Sequence, residues 1–209
     1  DLGTGVFNGC VNLYGSLEIP QGVTIIRTNC FNNTGLNGTL SLHDGISSIG
    51  EGAFRNTGLK GELHLPKNIE VISKESFCGC DFSGTLVLPT TVRQIGDKAF
   101  AWNWRLMGTL EIPEGVLSIG AGAFAQCRML EGVIFPESLE SIKYEPSWGE
   151  DGGAFQNCFS LGRIVCKGHI PPYVQDGCFN GVPKDNFTLE VPEGYEAQYQ
   201  AATGWREFK

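Results

Sequence analysis

No run in this chain approaches the roughly 18 consecutive apolar residues that a membrane-spanning helix needs, so no such helix is expected. Positive charge is scarce too: 15 Lys and Arg stand against 23 Asp and Glu, a formal charge of −8. Phosphate contacts require a basic face, and without even a local Lys/Arg cluster nucleic acid is excluded as a partner. Only three of the 209 residues are histidine, and they do not gather. Cys78-Gly-Cys80 is at most half a metal site, because no second Cys or His pair follows at zinc spacing. A nucleophile elbow, a phosphate loop and HExxH are all missing. Ser118 in GVLSIG lacks the elbow spacing. Neither a cofactor nor a metal is expected, nor is enzymatic activity. The chain begins at Asp1 without a charged-then-apolar leader, so further chain is expected upstream, carrying a signal or anchor.

What the chain does have is periodicity. Phe7, Phe31, Phe54, Phe77, Phe100, Phe124, Phe155 and Phe179 are spaced by 24, 23, 23, 23, 24, 31 and 24 residues. A short alternating stretch follows each Phe: LEIP (17–20), LSLH (40–43), LHLP (63–66), LVLP (86–89), LEIP (110–113), VIFP (133–136), IVCK (164–167) and LEVP (189–192). Alternation is the period of a half-buried strand, and proline ends it because it cannot donate the next ladder bond. A return segment follows, as in SIGEGAF, QIGDKAF and SIGAGAF, and Phe plugs the corner. One unit cannot bury its own apolar face, but stacked units share a core. The one-residue wobble sits in the turn after the corner. The next apolar residue follows Phe by five (Leu36, Leu59, Phe82) or by six (Leu13, Leu106, Leu130, Leu161).

These residues resemble leucine-rich repeats of the BspA-like class. The motif LxIPxxVxxIGxxAFxxC is matched at Leu110–Cys127, LEIPEGVLSIGAGAFAQC. The resemblance covers about residues 2–192 and implies a right-handed, β-rich solenoid of about eight repeats of 23–24 residues. LGTGVF (2–7) is the latter half of a unit, so the solenoid starts mid-repeat. In the last segment, 193–209, YEAQYQAATGWREF reads as a short capping helix stopped by Gly204, with Trp205 and Phe208 folded over the core end. A single domain and a monomer are expected. The resemblance also implies a secreted or cell-surface bacterial protein that adheres to host proteins or to other cells.

The repeat frame explains most of the eight cysteines. Cys10, Cys80, Cys127 and Cys158 sit three after the corner Phe, where other units carry Thr34, Thr57 or Asn103, while Cys30 and Cys178 fill the small slot before it. Cys166 is an inward strand position. Buried thiols are the expected state, with a Cys127–Cys158 disulfide as the alternative. His43 replaces a strand-ending proline, His64 points outward and His169 lies in a turn. Glu18, Glu62, Glu111 and Glu190 fall at or beside outward strand positions. A glycan-acting enzyme would use such carboxylates in a cleft, but a solvated acidic face is the plainer reading.

Two features fall outside the repeat. Trp102, Trp104 and Arg105 form AWNWR at the turn edge, where other units carry small or polar residues. From Pro136 to Phe155 the chain takes 19 residues where Pro113 to Phe124 takes 11, so eight residues are inserted near 143–153, within KYEPSWGEDGGAF. Insertions in repeat proteins commonly map to binding loops. Tyr144 and Trp148 are candidate partner contacts, with Glu145, Glu150 and Asp151 beside them. Those acids lack the alternating order of a calcium loop. The expected function is therefore a non-enzymatic module binding protein or glycan. The competing reading is a structural spacer that displays another domain.

Overall fold

The computed structural model describes residues 1–185 and 187–208. Asn186 and Lys209, which fall in the expected solenoid and cap, lie outside the described residues. A chain that repeats every 23 or 24 residues sets each residue beside its counterpart one unit on, so pairing between units is parallel. The result is a leucine-rich repeat solenoid of about eight turns.

One ladder runs through Gly15–Glu18, Leu36–Ser41, Lys60–Gly61, Asp81–Gly84, Arg105–Leu106, Gly108–Glu111, Leu130–Phe135, Arg163–Cys166 and Thr188–Glu190, in three separate sheets. A second ladder, of two-residue strands, pairs Ile25–Ile26 with Ser48–Ile49. It resumes from Val71–Ile72 through Gln94–Ile95, Ser118–Ile119 and Ser141–Ile142 to Tyr173–Val174. These return strands set one apolar side chain per unit in register, as in Ile95, Ile119, Ile142 and Val174. A third row of bonds links the corners, for example Phe100 N–H to the Ala123 carbonyl and Phe124 N–H to that of Ala154, both 2.8 Å.

The first ladder starts earlier than the alternation predicts. In two units pairing runs through Lys60–Gly61 and Asp81–Gly84, and the expected stretches around 63–66 and 86–89 keep only the bridge His64–Val87. Gly61 and Gly84, at φ 84° and 80°, turn the chain between the two halves and interrupt the ladder. Burial is untouched, since Leu63, Leu65, Leu86 and Leu88 all enter the core.

The eight repeat phenylalanines stack in one column from Phe7 to Phe179, with centroids 5.2–5.6 Å apart and planes within 12°. The slot three residues later serves the corner carbonyls. Thr57 Oγ1 donates to Phe54 O at 3.0 Å, and Asn103 Nδ2 donates to Phe77 O and Phe100 O. The thiols of Cys80, Cys127 and Cys158 reach Phe54 O, Phe100 O and Phe124 O at 3.2–3.4 Å. All eight cysteines are free, so the Cys127–Cys158 disulfide is not formed. Cys10 departs from the expected burial: it is exposed.

At the other end, helix Glu196–Ala201 stops three residues before Gly204. Beyond it, buried Trp205 and Phe208 pack against Phe179, at 5.9 and 5.2 Å between centroids. Tyr199 Oη donates to Gly168 O and Trp205 Nε1 to Pro172 O, which fixes the cap to the last turns. Among the described residues no helix is long and apolar enough to cross a membrane.

Candidate functional site

The turn after each corner Phe needs a left-handed residue two positions on. Gly9, Asn33, Asn56, Gly79, Trp102, Gln126, Asn157 and Gly181 fill that row at φ 53–80°. Asn and Gly tolerate this conformation, whereas a bulky side chain there is a strained exception. Gln126, at φ 65°, and the larger Trp102, at φ 64°, are the exceptions in this row.

Side chains of the row lie one repeat apart, and Asn56 Nδ2 donates to Asn33 Oδ1 at 3.0 Å. Gly79 then leaves a gap between Asn56 and Trp102. A Cβ at Gly79 would stand 2.6 Å from Asn56 Oδ1. The gap is the floor of a groove of about 570 Å³, walled by Asn56 and Thr57 on one side and by Trp102, Trp104 and Arg105 on the other. Cys80 and Asp81 complete the lining. Burial pushes the Cys80 thiol up to about 12, so it stays protonated and is a poor nucleophile.

Trp104 is 51% exposed, and its ring lies 6.5 Å from that of half-buried Trp102 at a 59° tilt. Arg105 Nε pairs with Asp81 Oδ1 at 3.2 Å. The Arg128 guanidinium sits 5.7 Å from the Trp104 ring and 5.5 Å from that of exposed Phe159. Gln126 Oε1 accepts two of its N–H groups at 3.0 and 3.2 Å. Trp104 is thus exposed but braced.

The inserted segment adjoins this edge. Tyr144 and Gly153 bridge antiparallel at its base, and Pro146–Asp151 form 3-10 turns broken by a kink at Gly149, at φ 59° and ψ −116°. Proline at the first turn suits a helix start. The Glu145 carboxylate accepts from Ser147 N–H and Oγ at 3.1 and 2.7 Å, and the Ser147 side-chain bond holds it below its ordinary pKa. The segment folds back over earlier units. Trp148 lies over Lys98 Nζ at 4.4 Å and Lys74 Nζ at 5.9 Å. Asp151 Oδ2 accepts from Trp102 Nε1 at 3.2 Å and stands 3.9 Å from Lys98 Nζ. A Cβ on Gly122 would collide with the Asp151 carbonyl oxygen. Tyr144 is half-buried on the core, and a Cβ on Gly177 would meet its ring at 2.7 Å. Glu150 is exposed.

The structure therefore joins two features that are separate in the sequence. Trp102, Trp104 and Arg105 share one groove, and Asp151 of the insertion anchors Trp102. Tyr144 and Glu145 hold the base of the insertion, while Trp148 lies on its lysine side. Asn56, Gly79, Asp81, Lys74 and Lys98 escape sequence reading. Position in the repeat frame would have found Gly79, as the only gap in a run of side chains from Asn33 to Asn157.

Two of the outward carboxylates pair with cations, Glu111 with Lys167 at 2.8 Å and Glu190 with Arg163 at 2.7 Å, and Glu62 stands 3.7 Å from the His64 ring. Glu62 and Glu111 line separate depressions. Among the described residues no group of three or more His, Cys, Asp or Glu side chains is placed to hold a metal ion.

The BspA type leucine rich repeat region matches this chain in six copies, over residues 1–107 and 101–190. The crystal structure of a leucine-rich repeat protein from Bacteroides ovatus is similar with a TM-score of 0.50 at 17% identity, covering 94% of this chain and 67% of that one. A leucine rich cell surface protein from Faecalibacterium prausnitzii gives a TM-score of 0.42 at 20% identity, covering 94% and 64%. The chain thus spans about two thirds of the length of these solved proteins. No curated protein matches it.

Proposed function

Because the chain belongs to the BspA-type leucine-rich repeat family, we propose that it is a non-enzymatic binding module of a secreted or cell-surface protein, holding a protein or glycan partner on its turn edge. The observation that carries this reading is Trp104, half-exposed and braced by Arg128, beside a Trp102 held at φ 64° in a row of Gly, Asn and Gln. Binding hot spots favour Trp and Arg. A side chain kept in a sparsely populated conformation points to a use for it. The stacked units also fix the edge before any partner arrives, which lowers the ordering cost of association.

Within this proposal Trp102, Trp104 and Arg105 contact the partner. Trp148, Glu145, Glu150 and Asp151 form the adjoining rim, and Tyr144 anchors that rim to the core. The module acts as a monomer. The test is binding of the purified chain to a panel of matrix proteins and immobilised glycans, with Trp104→Ala, Trp102→Ala and Trp148→Ala alongside. Retained partners with weakened binding by the edge variants support the reading. Binding to nothing in the panel would sink it and favour a spacer.

A further inference from the structure

Resting on the binding reading above, the geometry points to a glycan as the partner of the turn edge, with one hexopyranose ring seated in the groove over Gly79. The first reason is shape. The slot exists because one side chain is missing from a continuous row, so its walls, Asn56 and Trp102, stand two repeats apart. Successive repeats are 5.6 and 5.5 Å apart here along the Phe column. Asn56 Oδ1 leans over Gly79, and the ring lies in the remaining space between that amide and the Trp102 indole. The groove volume of about 570 Å³ falls in the range of small-ligand sites.

The second reason is chemistry. An indole offers a broad apolar face of negative quadrupole, which suits the aligned C–H bonds on one face of a pyranose. The polar groups beside it complement neighbouring hydroxyls: the Asp81 carboxylate accepts, the Arg105 guanidinium donates and the Asn56 amide does both. Asp81 and Arg105 are already paired at 3.2 Å and largely solvated, with 40% and 64% of their side-chain surfaces exposed. They exchange water for hydroxyl groups without stranding a buried charge. The pairing also leaves the slot without strong charge of either sign, as a neutral sugar requires.

The third reason is what a peptide would lack. An added strand needs free backbone donors and acceptors, and four of the N–H groups at the groove are already spent between units. Asn56 N–H bonds Cys78 O, Gly79 N–H bonds Ala101 O and Trp102 N–H bonds Ala125 O, each at 2.8 Å, and Asp81 N–H bonds Leu59 O at 2.9 Å. A simple cation is disfavoured by Arg105 and Arg128, which already flank the tryptophans.

The deciding variant is Gly79→Asn. Asn33, Asn56 and Asn157 occupy the same left-handed position, so the new side chain suits the backbone; its Cβ displaces the Asn56 carboxamide, 2.6 Å away, and the two amides together fill the slot. The purified chain, Gly79→Asn and Trp104→Ala are compared on immobilised oligosaccharides of glucose, galactose, mannose and their N-acetylated hexosamines, with unglycosylated matrix polypeptides in parallel. Thermal melts confirm that each variant folds. Binding to at least one oligosaccharide, weakened about tenfold or more by both variants, is the expected result. Glycan binding that survives both variants overturns the inference. Binding to the unglycosylated polypeptides alone also overturns it while leaving the binding-module reading standing, and binding to neither overturns both.

Discussion

Removing one ring from the middle of the phenylalanine column tests the packing account most severely. Phe100 is fully buried and stacked on both sides, 5.5 Å from Phe77 and 5.4 Å from Phe124. Truncating a buried Phe to Ala costs about 3–5 kcal/mol in transfer and cavity terms. Aromatic stacking adds about 0.5–1.5 kcal/mol for each such pair. Neighbouring units cannot close the hole, because the third row of hydrogen bonds fixes the corner spacing. Phe7 provides the internal comparison: it is half-buried and stacks on Phe31 alone, so Phe7→Ala should cost only about 1–2 kcal/mol. In urea, a slope of about 2–3 kcal/mol per molar turns these costs into midpoint shifts of about 2.4 M for Phe100→Ala and about 0.5 M for Phe7→Ala. A Phe77→Ala, Phe100→Ala double-mutant cycle would isolate the stacking energy. Equal midpoints for the two single variants would refute the column as the main support of the fold.

Three further outcomes follow from particular contacts. Asp151→Ala should free the Trp102 indole, cost about 1 kcal/mol and open residues 146–151 to proteolysis, whereas exposed Glu150→Ala should change neither. Burial holds the Cys80 and Cys127 thiols at about 12 against an ordinary 9.0. A folded-state value above the unfolded one means their contribution is complete below pH 9 and is lost as pH rises toward 12. Urea midpoints should therefore fall above pH 9, by up to about 1.4 kcal/mol per pH unit per thiol, and fall less in Cys127→Thr; a flat profile contradicts this. Ser76 is buried before Phe77 with no hydrogen-bond partner for Oγ, in a slot where neighbouring units place Ala53 and Ala99. Ser76→Ala should therefore stabilise the chain by about 1 kcal/mol, measured by the same urea titration.

The parts of this fold legible in the sequence are those in which one residue does the same job in every unit. Spacing alone placed the eight Phe in a common role, and stacking then required parallel pairing and a shared core. Cys80, Cys127 and Cys158, interchangeable with Thr57 and Asn103, had the same logic, since each donates to a corner carbonyl. Strand limits were less legible, because Gly61 and Gly84 look like ordinary turn residues until their left-handed φ interrupts the ladder. The site was half legible. Trp102, Trp104 and Arg105 stood out as departures from the repeat, but the path of the insertion did not. That path depends on Asp151 meeting Trp102 and on Trp148 meeting Lys98, contacts whose energies have no sequence period. The groove was least visible of all, since an absent side chain at Gly79 creates it.

The central claim is that partners are held at the turn edge rather than on the broad face of the first ladder. Both regions carry a large exposed apolar side chain, Trp104 at 51% on the edge and Val87 at 71% on the ladder face. The most direct measurement is the affinity of Trp104→Ala and Val87→Ala for the strongest-binding member of the protein and glycan panel. The account predicts a loss of about tenfold or more for Trp104→Ala and little change for Val87→Ala. The reverse order would contradict it.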